Sequence, residues 1–222
     1  MKLFFSYLIN GIGLLFLSLF TILMLDLILP YFSMNLQTDF LRTKLDVIHL
    51  KHWRWSFFVH VFTSLFVLIA GFTQFSRWIM NHQPLIHRRM GQLYVAVILL
   101  FSGPSGLIMA FYANGGTSSK ISFVLLAGLW WTFTWQAYRT ALQKQWPKHG
   151  QFMVRSFALS LSAITLRVIM FIMGPFQIDH VALYTWAAWL SWTINLVLAE
   201  ALIYTGYVNF LLKRPRQRKV LA

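Results

Sequence analysis

Apolar and polar positions along this chain alternate on the scale of whole membrane passes. Runs of about 20 mostly apolar residues, the length a helix needs to cross a bilayer, recur almost end to end between short polar or basic stretches. Six runs predict six spans: Phe4 to Tyr31, Trp55 to Trp78, Met90 to Tyr112, Ile121 to Tyr138, Phe152 to Met173 and Ala182 to Leu212. The expected fold class is all-α, a polytopic membrane protein built as one six-helix bundle over residues 1–222. The first helix covers 1–31, a mixed loop 32–54, four core helices 55–175, and the last helix with a basic tail 176–222. The first run is far longer than the apolar region of a signal peptide and no small-x-small site follows it, so a retained helix is expected.

A finer pattern runs inside three spans. His60, Ser64, Val67, Gly71 and Gln74 fall at i, i+4, i+7, i+11 and i+14, on one helical face. His87, Gly91 and Tyr94 repeat the design, and His149, Met153, Ser156, Ser160, Ala163 and Arg167 form a third line. Small residues at this spacing let membrane helices pack closely, which accounts for the glycines and serines. Arg167 and Glu200 differ, because a charge inside a bilayer costs at least about 2.5–3.5 kcal/mol and needs a partner or a task. At about 1.5 Å rise per residue, His60 lies about 8 Å and Arg167 about 9 Å from the same outer ends of their helices, so the two share a layer. Asp26 is the expected counter-ion for Arg167, with Asp179 the runner-up. Gln74, His87, Tyr94, His149 and Arg155 make an inner layer within reach of Glu200.

Composition sharpens this picture. The chain is 58% hydrophobic and 11% charged, leaving no room for a soluble domain. It has no cysteine, which excludes disulfides, thiolate metal sites and thioether-linked haem. The net charge of +14 sits in short clusters between apolar runs rather than along an aromatic-interleaved groove, which points away from nucleic acid and towards anionic membrane lipids. Lys2, Arg77, Arg88, Arg89, Arg139, Lys144, Lys148, Arg155 and the tail KRPRQRK crowd one side, so the positive-inside rule predicts both termini in the cytoplasm. Localisation is expected to be the cell membrane, the inner one in a bacterium. Trp53, Trp55, Trp78, Trp146, Trp186 and Trp189 fall near span ends, as an interfacial belt requires. The stretch PLIHRR reads as a loop-to-helix junction whose arginines reach head groups.

In order along the chain, HVFTSLFVLIAGFTQF, IHRRMGQLYV, GLWWTFTWQAYR and KHGQFMVRSFALSLSAITLR resemble the bacterial membrane protein family catalogued as domain of unknown function 2306. The resemblance covers roughly the second to fifth spans, about half of the chain. It implies signature positions at His60, Gln74, His87, Arg88, Gly91, Tyr94, His149, Met153, Arg155, Ser156 and Arg167. The chain departs at Gly150, Gln151 and Phe152, where the family tends to have arginines and a tryptophan. The family implies a fold and signature residues but no settled activity.

Four kinds of function remain open. A small anion, lipid head group or quinone would be bound or transported by Arg167 and His60 in the outer layer and by His87, Tyr94 and Arg155 in the inner one. Paired broken helices, a common sign of alternating access, are not visible in the sequence. A b-type haem would use His87 and His149 as axial ligands at equal depth. A hydrolase lacks an acid to orient a serine–histidine pair, and no His-Glu-x-x-His motif occurs. In an accessory protein the stripes would only hold helices together.

Overall fold

A computed structural model describes residues 2–176 and 179–212, and among these the chain is all helical. The tail KRPRQRK, part of the orientation argument, lies outside the described residues. The helices are α1 (Lys2–Ile28), α2 (Lys51–Phe75), α3 (Arg77–His82), α4 (Pro84–Val97), α5 (Gly103–Ala110), α6 (Gly116–Leu142), α7 (Trp146–Ser160), α8 (Ser162–Met173), α9 (His180–Tyr204) and α10 (Tyr207–Leu212). Four are long and apolar enough to cross a membrane: Gly11–Ser33, Lys51–Phe75, Pro84–Ala110 and His180–Tyr204. A fifth arises if the bent pair Trp146–Ser160 and Ser162–Phe176 is one span. The 27-residue α6 has the length, but its tryptophans, threonines and Gln136 leave it less apolar than the others.

The α4–α5 pass begins earlier than the apolar run suggests. Pro84 occupies the first turn, where its missing N–H costs nothing, so PLIHRR is the start of the helix and not a junction before it. Asp179 caps α9 by accepting from the Ala182 N–H at 2.9 Å. It is therefore committed to a helix end.

Two passes are interrupted. Between α4 and α5, residues Ile98–Ser102 form a turn of π-helix. The Gly103 N–H bonds the Ile98 carbonyl, and Pro104 has no N–H to offer. That strands the Leu99 carbonyl, and the Trp131 indole of α6 satisfies it at 3.2 Å. Between α7 and α8 the axis bends by 40° at Leu161. Here Asn195 of α9 donates to the Ala158 carbonyl and accepts from Thr165, while the Ser160 hydroxyl bonds back to the Ser156 carbonyl. Side chains that enter the backbone ladder in this way bend helices. The third polar line drawn in the sequence is therefore broken, with Arg167 on α8 and His149 to Ser160 on α7.

α2 packs between α1 and the α4–α5 pass, while α6 contacts α5, α7 and α9, and α8 lies along α9. The main core joins Val67, Tyr94, Ile98, Trp130, Phe157 and Trp192. Gly71 admits the Phe157 ring, which would lie 2.4 Å from any added Cβ. Outward positions such as Leu15, Ile22, Phe171 and Val197 are exposed and apolar, as a lipid-facing surface demands. The two ends of the bundle differ. One, the loop end, carries the connection between α1 and α2, which folds back so that Tyr31 and Leu41 pack on Trp53, Phe57 and Phe58. Trp53 is thus 1% exposed and is no part of an interfacial belt, whereas Trp55, Trp78, Trp146 and Trp186 are exposed as expected. At the other, basic end, Arg77 of α3 donates to the Tyr7 hydroxyl and lies over the Phe210 ring.

Candidate functional site

The α4–α5 interruption and the α7–α8 bend flank a cavity of about 520 Å³ in the loop half of the bundle. That is within the ~300–1,000 Å³ range of small-molecule sites. α1, α2, α5, α6, α7, α8 and α9 all contribute to its lining, and so does the folded-back connection. The walls are mainly apolar and aromatic. Polar groups enter at a few points, chiefly His60, Arg167, Lys44, Asp39, Tyr31 and Tyr184.

His60 sits in the third turn of α2 and donates from Nδ1 to the Ser102 carbonyl at 2.8 Å. A carbonyl can only accept, so the bond fixes the tautomer and leaves Nε2 as a lone pair. Nε2 has no hydrogen-bond partner among the described residues. Gly106 makes the seat, since an added Cβ would lie 2.9 Å from the imidazole. The acceptor carbonyl belongs to the π turn, so the interruption of the α4–α5 pass is what positions this histidine.

Arg167 projects into the same cavity from α8. Its only hydrogen bond among the described residues runs from Nη1 to the Ala163 carbonyl, one turn earlier on its own helix, at 2.9 Å. Asp26 is exposed on α1 and forms no ion pair with it, and Asp179 is spent on its cap, so neither expected counter-ion is in place. The one ion pair among the described residues is Arg155–Glu200. Tyr31 and Tyr184 share the cavity lining with Arg167, and neither side chain is an anion near neutrality. A guanidinium with most of its donors unused faces a largely apolar chamber.

At the loop end Lys44 closes the mouth. It is 3% exposed and donates to the Tyr112 carbonyl and, at 2.5 Å, to Asn114 Oδ1, tying the connection to the end of α5. Burial pushes the Lys44 ammonium below the usual lysine range; Asp46 opposes that shift and Lys120 adds to it. The Trp53 indole N–H, also on the lining, is buried without a hydrogen-bond partner. Neither Lys44 nor Trp53 was legible as a site residue, because the signal lies in the loop folding inward and not in any motif.

The inner-layer residues are placed differently. Tyr94 is fully buried, and its hydroxyl meets Ser156 at 2.8 Å and Ser160 at 3.1 Å. Thr134 bonds Ser156 at 2.7 Å, and the Trp130 indole donates to Ser160 at 3.0 Å, completing the network. Ser160 and Trp130 also form the cavity floor. Arg155 holds Glu200 through two bonds of 2.5 and 2.8 Å, so the reach of Glu200 into this layer is realised in that pair. Gln74 donates to the His87 carbonyl, and His87 and His149 bond backbone carbonyls of neighbouring helices. His87 and His149 share a second pocket, of about 50 Å³, which has no lining residue in common with the cavity. That volume falls far short of what a porphyrin needs between two axial ligands.

The resemblance read from the sequence is met by a direct match. The family described as "Predicted membrane protein (DUF2306)" matches residues 57–203, about two-thirds of the chain. The chain belongs to this family. The match runs from α2 through most of α9, so the shared unit is wider than the second to fifth spans and takes in Asn195 and Glu200. α1 and the folded-back connection with Lys44 lie before it. No curated protein and no solved structure matches the chain. As a DUF2306 protein with several long apolar helices, it is a multi-pass integral membrane protein.

Proposed function

We propose that this DUF2306 protein binds, and passes through the loop half of its bundle, a small anionic, lipid-like ligand. The observation that carries the reading is Arg167, a cation opening on a cavity of about 520 Å³ with no carboxylate partner among the described residues. Retaining such a charge is costly in a bilayer, and a ligand carboxylate or phosphate would engage the planar guanidinium through two parallel bonds. The His60 Nε2 lone pair supplies an acceptor for a ligand hydroxyl, and the apolar walls suit a hydrocarbon chain. A quinone would fill the walls but leave the charge uncompensated, so an anion is the better fit. The two interrupted helices beside the cavity are the feature that transport proteins place at their substrate sites. α6 completes six spans in this reading, with both termini cytoplasmic, anionic lipids at the basic end and no nucleic-acid partner.

The test is thermal unfolding of detergent-purified protein against single-chain carboxylates, alkyl phosphates, inorganic phosphate and a short-chain quinone. Anionic amphiphiles are expected to raise Tm in the wild type and not in Arg167→Gln. Stabilisation by the quinone alone, or equal shifts in both proteins, would refute the reading.

A further inference from the structure

We infer that the small pocket at the basic end is a binding site for one monovalent copper ion, held by the Nε2 atoms of His87 and His149 with thioether sulfur from Met80 and Met153. Three observations carry this, and none depends on the cavity of the loop half.

The first is the tautomer of both imidazoles. His87 Nδ1 donates to the Thr73 carbonyl at 3.2 Å and His149 Nδ1 to the Ala137 carbonyl at 2.8 Å. Carbonyl oxygens only accept, so both rings keep their lone pair on Nε2, and neither Nε2 has a hydrogen-bond partner among the described residues. A backbone carbonyl on one ring nitrogen is the support that metal-bound histidines use to fix ring orientation and raise ligand basicity. Gln74 adds to it by donating to the His87 carbonyl and to Thr73 Oγ1, both at 3.0 Å.

The second is size. Both histidines line one pocket of about 50 Å³, room for an ion and at most a water or two. The third is the donor set. Met80 and Met153 line the same pocket, the remaining walls are mostly apolar, and no carboxylate is among the lining residues. Neutral donors offset none of an ion's charge, which favours a monovalent ion, and thioether with imidazole is a soft set that selects Cu(I) over the harder divalent metals. The chain has no cysteine to take the ion instead.

The experiment is to purify the full chain anaerobically, load it with Cu(I), and measure retained copper by elemental analysis. Affinity is read by competition with a chromophoric Cu(I) chelator, and the ligands by X-ray absorption. One copper per chain is expected, with nitrogen and sulfur scatterers, displaced by Ag(I) and not by Zn(II). His149→Leu is expected to weaken binding by about 100-fold or more, since even supporting residues contribute 10–100-fold. Met153→Leu should weaken it less and reduce the sulfur signal. Asp26→Asn, on the exposed face of α1, should leave copper affinity unchanged. Copper at the level of a detergent blank, absorption lacking imidazole scattering in the wild type, or unaltered affinity in a folded His149→Leu protein would each overturn the assignment.

Discussion

Arg167 and Tyr94 are polar groups on helices of one bundle, Tyr94 fully buried and Arg167 exposed on a cavity, and the fold treats them in opposite ways. The Tyr94 hydroxyl ends in a closed network with Ser156, Ser160, Thr134 and Trp130. Arg167 spends one donor on a carbonyl of its own helix and turns the rest to a cavity. Buried polar groups with full partners specify a structure, whereas those left short are waiting for something the protein does not contain. Around Tyr94 the bundle is held together by its own side chains, whereas the loop half encloses a space.

Replacement at the two positions should separate stability from binding. Tyr94→Ala removes a fully buried aromatic ring and its network, and is expected to cost about 3–5 kcal/mol in unfolding measurements. Arg167→Gln should leave stability nearly unchanged, because the Arg167 side chain is exposed on the cavity and holds a single bond to its own helix. Its cost should appear in ligand affinity, as about a 10- to 150-fold loss for a charge-assisted bond of about 1.5–3 kcal/mol. If Tyr94→Ala proved mild and Arg167→Gln unfolded the protein, the two halves would have been assigned the wrong way round.

A subtler change tests the link between the halves. Trp131→Phe removes the donor to the Leu99 carbonyl, which the π turn and Pro104 leave without a backbone partner. Thermal unfolding should show a loss of about 0.5–1.5 kcal/mol, the net contribution of a typical hydrogen bond. His60 leans on the same π turn, so ligand affinity should fall with it. An unchanged affinity would detach His60 from the site. Least is expected of Arg155→Ala. Its ion pair is partly solvated, with the Glu200 side chain 54% exposed, and such pairs contribute about 0.2–1 kcal/mol. A loss above that range would mean the pair is closed off from water at the basic end.

Much of the stabilising half could be read from the sequence, because its signal is periodic. His87, Gly91 and Tyr94 at helical spacing announced an inward face on one unbroken helix, α4. The loop half was harder for identifiable reasons. The bend at Leu161 has no proline or glycine to mark it; its cause is Asn195, more than thirty residues away on α9, whose amide enters the ladder only after the helices pack. The broken helices that seemed absent from the sequence are therefore a tertiary effect in α7–α8, and in α4–α5 the combination of Pro104 with a π turn. Asp26 stood at the right depth for Arg167 but on an exposed face of α1, since depth along a helix says nothing about its rotation. Lys44 came from a loop whose mixed pattern hid that it folds into the bundle.

The central claim is that Arg167 awaits an anion, and native mass spectrometry of protein released from its own membrane tests it most directly. The wild type should carry one co-purifying anionic amphiphile per chain, identified after extraction as a carboxylate or phosphate, and Arg167→Gln should be released without it. Wild-type protein that emerges with no bound anion, or Arg167→Gln protein carrying the same species at the same occupancy, would contradict the account.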